Sequence, residues 1–100
     1  MTPLFLAVEQ SDVESCKLLL RAKANPNFLS LEEGTPIYQA VKQGSLECVK
    51  LLLKSKAQLN ICENTDAETP LDIAIKLGHT KIADYLASKG ARESSDLNNF

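Results

Sequence analysis

The stretch TPIYQAVKQGSLECVKLLLKSKAQLN, residues 35–60, decides the fold. Thr35 suits an N-cap, because its hydroxyl accepts from a free amide of the first turn, and Pro36 presets φ where no amide donor is needed. About seven residues later Gln43-Gly44-Ser45 forms a turn-prone stop. Leu46, Val49, Leu52 and Leu53 then recur at helical spacing. The second helix ends near Lys56-Ala57, where a left-handed residue is the usual terminating device. Helix, turn, helix and a polar connection make one unit.

Working outward, the same unit recurs on both sides. Thr-Pro stands at Thr2-Pro3, Thr35-Pro36 and Thr69-Pro70, separated by 33 and then 34 residues. After the first come Leu4, Ala7, Val13, Leu18-Leu19-Leu20, Ala24 and Asn27; the second repeats them as Ile37, Ala40, Leu46, Leu51-Leu52-Leu53, Ala57 and Asn60. The third, diverged copy has Leu71, Ala74, Thr80, Tyr85-Leu86 and Gly90-Ala91. The mid-unit turns are Gln10-Ser11-Asp12, Gln43-Gly44-Ser45 and Leu77-Gly78-His79. A fixed period of this length signals stacked supersecondary units. Helices this short are not stable alone in water, so each pair must bury its apolar face against the next.

The bulk numbers agree with one soluble domain. One hundred residues suffice for a single core, and 44% hydrophobic with 24% charged residues is ordinary for a globular chain. A formal net charge of −2, with both signs interspersed, offers no basic field for a phosphate backbone, so direct nucleic-acid binding is not expected. The longest apolar run, Leu51 to Leu53, is far short of a membrane span, and the first residues lack a signal-peptide pattern. The expectation is an intracellular, cytoplasmic or nuclear, protein. Cys16, Cys48 and Cys62 are odd in number and form no CxxC pair, so they read as structural thiols rather than a disulfide framework or zinc site.

Catalysis needs a nucleophile with a base, a metal site or a phosphate cradle. Cys16, Cys48 and the single histidine, His79, all sit where the repeat assigns structural work. His79 shares its position with Asp12 and Ser45, and a place filled by three unlike residues serves turn and cap geometry rather than proton transfer. Glu32-Glu33 reads as a solvated pair, and Gly34, Gly44, Gly78 and Gly90 are isolated rather than gathered in a phosphate loop. The chain reads as a non-enzyme without a cofactor or metal.

The segments TPLFLAV, TPIYQAVKQGSLECVKLLLKSKAQLN and TPLDIAIKLGHTKIADYLASKGA resemble ankyrin repeats. The family pattern of Thr-Pro-Leu-His, Ala, Gly-His, a Leu-Leu run and Gly-Ala-Asp is matched over about nine tenths of the chain. The resemblance implies an all-α solenoid of three stacked helix-turn-helix units, about residues 2–34, 35–68 and 69–91, joined by β-hairpin-like finger loops. These form one domain over residues 1–93, with a polar tail at 94–100. The departures are specific. The family's histidine is Phe5, Tyr38 and Asp72; its mid-unit glycine is Ser11 in the first copy; its helix-ending glycine is Lys23 and Lys56 in the first two. Lysine in the left-handed region costs on the order of 1 kcal/mol relative to glycine.

The resemblance further implies a protein-interaction module, a scaffold or adaptor, binding a protein partner through finger loops and the concave face of the first helices. Carried over residue by residue, the family's contact positions are Glu9 and Gln10 in the first unit. In the second they are Leu31, Glu32, Gly34, Tyr38, Lys42, Gln43 and Ser55. In the third they are Thr65, Asp66, Glu68, Lys76 and Leu77. Tyr38 stands between two readings: an exposed aromatic anchor beside Leu31, or a bridge between neighbouring units. Asn27 and Asn60 occupy the family's asparagine-hydroxylation slot, but Asn25 and Gln58 replace the usual acidic residue two places earlier.

The ends carry the alternative. Such arrays need a polar outer face at each end, yet the first unit keeps Leu4, Phe5, Leu18 and Leu20. This favours a structural segment of a longer array, whose main binding or catalytic part lies elsewhere, over a monomer with a covered edge. Lys76, Lys81, Asp84 and Lys89 make the last helix pair look finished, and Ser94-Ser95-Asp96 reads as a solvated tail.

Overall fold

Each Thr-Pro does start a helix. The computed structural model describes residues 2–28, 34–57 and 68–91. Within them the helices are α1 (Pro3–Glu9), α2 (Val13–Arg21), α3 (Pro36–Gln43), α4 (Leu46–Lys54), α5 (Pro70–Leu77) and α6 (Thr80–Ser88). The Thr2 hydroxyl accepts from the Phe5 amide at 3.1 Å, and Thr69 accepts from the Asp72 amide at 3.2 Å. The Asp72 carboxylate returns a bond to the Thr69 amide at 2.9 Å, a reciprocal capping box. Thr35 holds the same N-cap position, fully buried, without that side-chain bond.

All six helices end alike. After α1, α3 and α5 the amides of Asp12, Ser45 and His79 reach back to the carbonyls of Ala7, Ala40 and Ala74 at 2.9, 3.1 and 2.9 Å. After α2, α4 and α6 those of Ala24, Ala57 and Ala91 reach Leu19, Leu52 and Leu86 at 3.0, 2.9 and 2.9 Å. This six-to-one bond requires a left-handed residue just before its donor. Gly44, Gly78 and Gly90 supply it, and so do the non-glycines Ser11 (φ 53°), Lys23 (φ 71°) and Lys56 (φ 71°). The alignment of the degenerate glycine slots is therefore correct to the residue.

The helices pack in two layers, with α1, α3 and α5 side by side and α2, α4 and α6 behind them. Position within the unit sets burial. Ala7, Ala40 and Ala74 are 6%, 0% and 0% exposed, and their small side chains let neighbouring helices approach. Leu4, Ile37 and Leu71 fill the floor of each pair, while Cys16, Cys48, Val49, Leu52, Ile82 and Leu86 join both layers in one core. Burying each large aliphatic is worth roughly 1.5–3 kcal/mol.

The end faces differ from the sequence expectation. Leu4 and Phe5 are buried, at 2% and 3% exposure. The apolar groups on the first face are instead Leu6 and Leu18, at 42% and 63%. The last unit is not fully polar either, because Ile75 is 52% exposed while its counterparts Val8 and Val41 are at 0%. A side chain pointing along the stack axis is buried only where the next unit covers it. The finger loops' Leu31, Glu32, Thr65 and Asp66, and the 94–100 tail, lie outside the described residues.

Candidate binding face

The C-terminal ends of α1, α3 and α5 bring two equivalent positions from each unit into a row. Glu9, Lys42 and Lys76 occupy the first position and Gln10, Gln43 and Leu77 the second, and all six are exposed. Their neighbours Val8 and Val41 turn inward, and the helical period places the next two residues on the open side. Gln43 Nε2 donates to the Glu9 backbone carbonyl at 2.6 Å, so the row is tied across the first and second units. Lys76 Nζ lies 3.6 Å from Glu68 Oε2, whose side chain is only 20% exposed, fixing the entry to α5 beside its exit. Leu77, 48% exposed, is the apolar member of the row. The row is a polar ladder with charges of both signs and one apolar member.

Tyr38 does not belong to that surface. It is 2% exposed, and its hydroxyl donates to the backbone carbonyl of Glu68, the residue just before the Thr69 cap of the next unit. Of the two readings open in the sequence, the structure has the bridge. The reason is register: the position shared by Phe5, Tyr38 and Asp72 points between units rather than outward. Phe5 fills it apolarly, Tyr38 spans it, and Asp72 turns back on its own cap.

The residues tested for chemistry do structural work. His79 occupies the N-cap of α6, but unlike Asp12 and Ser45 it makes no side-chain cap bond. Its ring lies against Gly44 of the preceding turn instead, where a Cβ would stand 3.0 Å from His79 Cε1. Asp12 accepts from the Ser15 hydroxyl at 2.6 Å and the Ser15 amide at 3.2 Å, and these bonds hold its carboxyl below the usual carboxylate range. Cys16 and Cys48 are both free and buried, their Sγ atoms 3.9 Å apart across the first and second units. Burial first, then the neighbouring Cys48, pushes the Cys16 thiol up to about 12, so it is no thiolate nucleophile at neutral pH. Cys62 lies outside the described residues. Among the described residues no three His, Cys, Asp or Glu side chains gather as metal ligands, and no helix is long and apolar enough to cross a membrane.

Sequence reasoning passed over Tyr85. Its ring centroid lies 5.6 Å from Lys50 Nζ and 5.5 Å from Lys89 Nζ on the outer layer. The available signal was that Tyr85 replaces Leu51 in the repeat while lysines stand one turn away on either side.

A family model described as ankyrin repeats, three copies, matches residues 1–97. No curated protein matches the chain.

Proposed function

The chain belongs to the ankyrin-repeat family, whose members are generally protein-interaction modules and typically non-catalytic; from that premise we propose that this one is a scaffold or adaptor gripping a protein partner. The contact surface is the row Glu9, Gln10, Lys42, Gln43, Lys76 and Leu77, with Glu68 beside it; the other expected contact positions, Leu31, Glu32, Thr65 and Asp66, lie outside the described residues. One observation carries this reading: the row is exposed in all three units and changes character along the stack, from Glu9 to Lys42 and Lys76 and from Gln10 and Gln43 to Leu77, on a frame whose Ala7, Ala40 and Ala74 are buried throughout. Specificity requires such variation on a constant frame. Tyr38 is left out of the contact set and serves the frame. The partner is a protein, since a net charge of −2 gives little attraction for nucleic acid, and the encounter takes place inside the cell.

The test is affinity capture from native lysate with the chain as bait, repeated with the double variant Lys42→Glu, Leu77→Ala. A captured protein lost by the double variant, at unchanged melting temperature, supports the reading. Equal capture by both moves the site away from this row.

A second reading, a structural segment within a longer array, draws on the end faces. Leu6 and Ile75 are exposed although Ile73, the counterpart of the first, and Val8 and Val41, those of the second, are buried, and Leu18 is exposed where its counterparts Leu51 and Tyr85 are half-buried. Capture compared between this chain and a longer parent separates the two, because a partner retained only by the parent excludes the first.

A further inference from the structure

The outer layer carries a groove that repeats with the stack. Between α4 and α6, Lys50, Leu53, Lys54, Ala57, Tyr85 and Lys89 line a cleft of about 500 Å³. Between α2 and α4, Lys17, Leu20, Arg21, Leu51, Lys54 and Ser55 line one of about 300 Å³. Position for position these are one site seen twice. Lys17 corresponds to Lys50, Leu20 to Leu53 and Arg21 to Lys54, each 33 residues apart, and Leu51 corresponds to Tyr85, 34 apart. Each groove has an apolar floor and a cationic rim, and Lys54 stands on both rims.

The rim is positive in a chain whose net charge is negative. Glu14 approaches Lys17 at 3.4 Å and Glu47 approaches Lys50 at 4.0 Å, but these carboxylates are 81% and 67% exposed and easily displaced by a partner. Asp84, the third unit's counterpart of Lys17 and Lys50, lines neither groove. Among the described residues no carboxylate pairs with Arg21, Lys54 or Lys89. Arg21 and Lys54 complement the C-terminal dipoles of α2 and α4. That effect also reaches Lys89 at the C-cap of α6, but it is confined to the helix end and does not account for Lys17 or Lys50.

We propose that these grooves form a second interaction surface, on the opposite layer from the row of first-helix ends, for an acidic extended peptide carrying an apolar side chain at every third residue. Charge complementarity selects the acidic chain, and the floors select its anchors. Spacing selects the conformation. Packed neighbouring helices lie about 8–10 Å apart, and a polyproline II segment presents every third residue on one face about 9 Å apart. Successive anchors therefore fall onto Leu20–Leu51 and Leu53–Tyr85. The carboxylates between them meet Arg21, Lys54 and Lys89. A nucleic acid brings the charge without the anchors.

The experiment uses the whole chain and a fluorescein-labelled peptide of the repeat Leu-Glu-Pro. Control peptides replace every Glu by Gln or every Leu by Ser, and a single-stranded DNA serves as a plain polyanion. Anisotropy gives affinity and amide NMR shifts give location. The Leu-Glu-Pro peptide is expected to shift Leu53, Lys54 and Tyr85, with both control peptides at least about tenfold weaker. Lys54→Glu, with its fold verified by melting, weakens binding at least about tenfold by reversing a charge on both rims. Lys81→Glu reverses an exposed charge one turn from Tyr85 that lines neither groove, and it is expected to weaken binding clearly less than Lys54→Glu. Equal binding of the Gln peptide, equal binding of DNA, or equal loss with Lys81→Glu would overturn the proposal. None of these outcomes bears on the first-helix row, whose residues the variants leave intact.

Discussion

The Tyr38 hydroxyl donates to the backbone carbonyl of Glu68, tying α3 to the residue that leads into the Thr69 cap of the third unit. With the ring 2% exposed, the link is part of the core. Tyr38→Ala is expected to cost about 3–5 kcal/mol, the usual penalty for emptying a buried aromatic site. Tyr38→Phe keeps the ring and loses one hydrogen bond, for about 1 kcal/mol. Urea unfolding measures both, and equal stability of the two variants would place the hydroxyl, not the ring, at the centre of the effect.

Lys23 and Lys56 each hold φ at 71° where the third unit has Gly90. Lys23→Gly and Lys56→Gly are each expected to raise stability by about 1 kcal/mol, through relief of left-handed strain. The Asn27 side-chain amide donates to the Lys56 carbonyl at 3.2 Å, a backbone contact that glycine retains. The sites share no partner, so the double variant gains the sum. Unchanged melting temperatures would mean that the strain is already relieved in the lysines.

These lysines also show how much of the fold was legible in the sequence. The Thr-Pro period and the Leu runs give six helices, their order and their ends, because local capping chemistry and helical periodicity are written in neighbouring residues. Even a lysine in a glycine slot is read correctly from its register. Direction along the stack axis is not so written. Leu4 and Leu6 are equally apolar, yet only Leu6 is exposed, since its cover has to come from another unit. Tyr38 stayed undecided for the same reason: what receives its hydroxyl lies 30 residues on, at the end of a loop. The row of Glu9, Lys42 and Lys76 was reachable through the resemblance, whereas the outer grooves required knowing that Lys54 lies between two helix neighbours.

Gly44 and Gly78 hold nearly the same φ, 73° and 76°, in equivalent turns, but only Gly44 lies beneath a ring. Gly78→Ala meets open space and is expected to cost about 1 kcal/mol of left-handed strain. Gly44→Ala adds a contact with His79 at 3.0 Å and costs more. In a His79→Ala background the excess disappears and the two alanine substitutions become equal. A double-mutant cycle by thermal unfolding measures the coupling; additive values would show that the imidazole moves aside freely.

The Cys16 thiol makes stability fall at alkaline pH. Its ordinary value is 9.0 and the fold raises it to about 12, chiefly by burial and then through Cys48. The folded chain therefore keeps a proton that the unfolded chain has released, and stability falls wherever the unfolded state binds fewer protons. The contribution is full below pH 9 and drains away as pH rises from there toward 12. The informative quantity is the difference between wild type and Cys16→Ala, which cancels what the rest of the chain contributes. The variant is expected to be less stable at pH 7, having lost a buried side chain, and the gap should narrow from pH 9 to pH 11. A thiol reagent at pH 8 gives an independent reading: Cys16 reacts only through unfolding, so its rate follows denaturant concentration. A gap constant with pH, together with immediate labelling mapped by peptide mass to Cys16 itself in the native chain, would place Cys16 in contact with solvent and remove it from the core that joins the first two units.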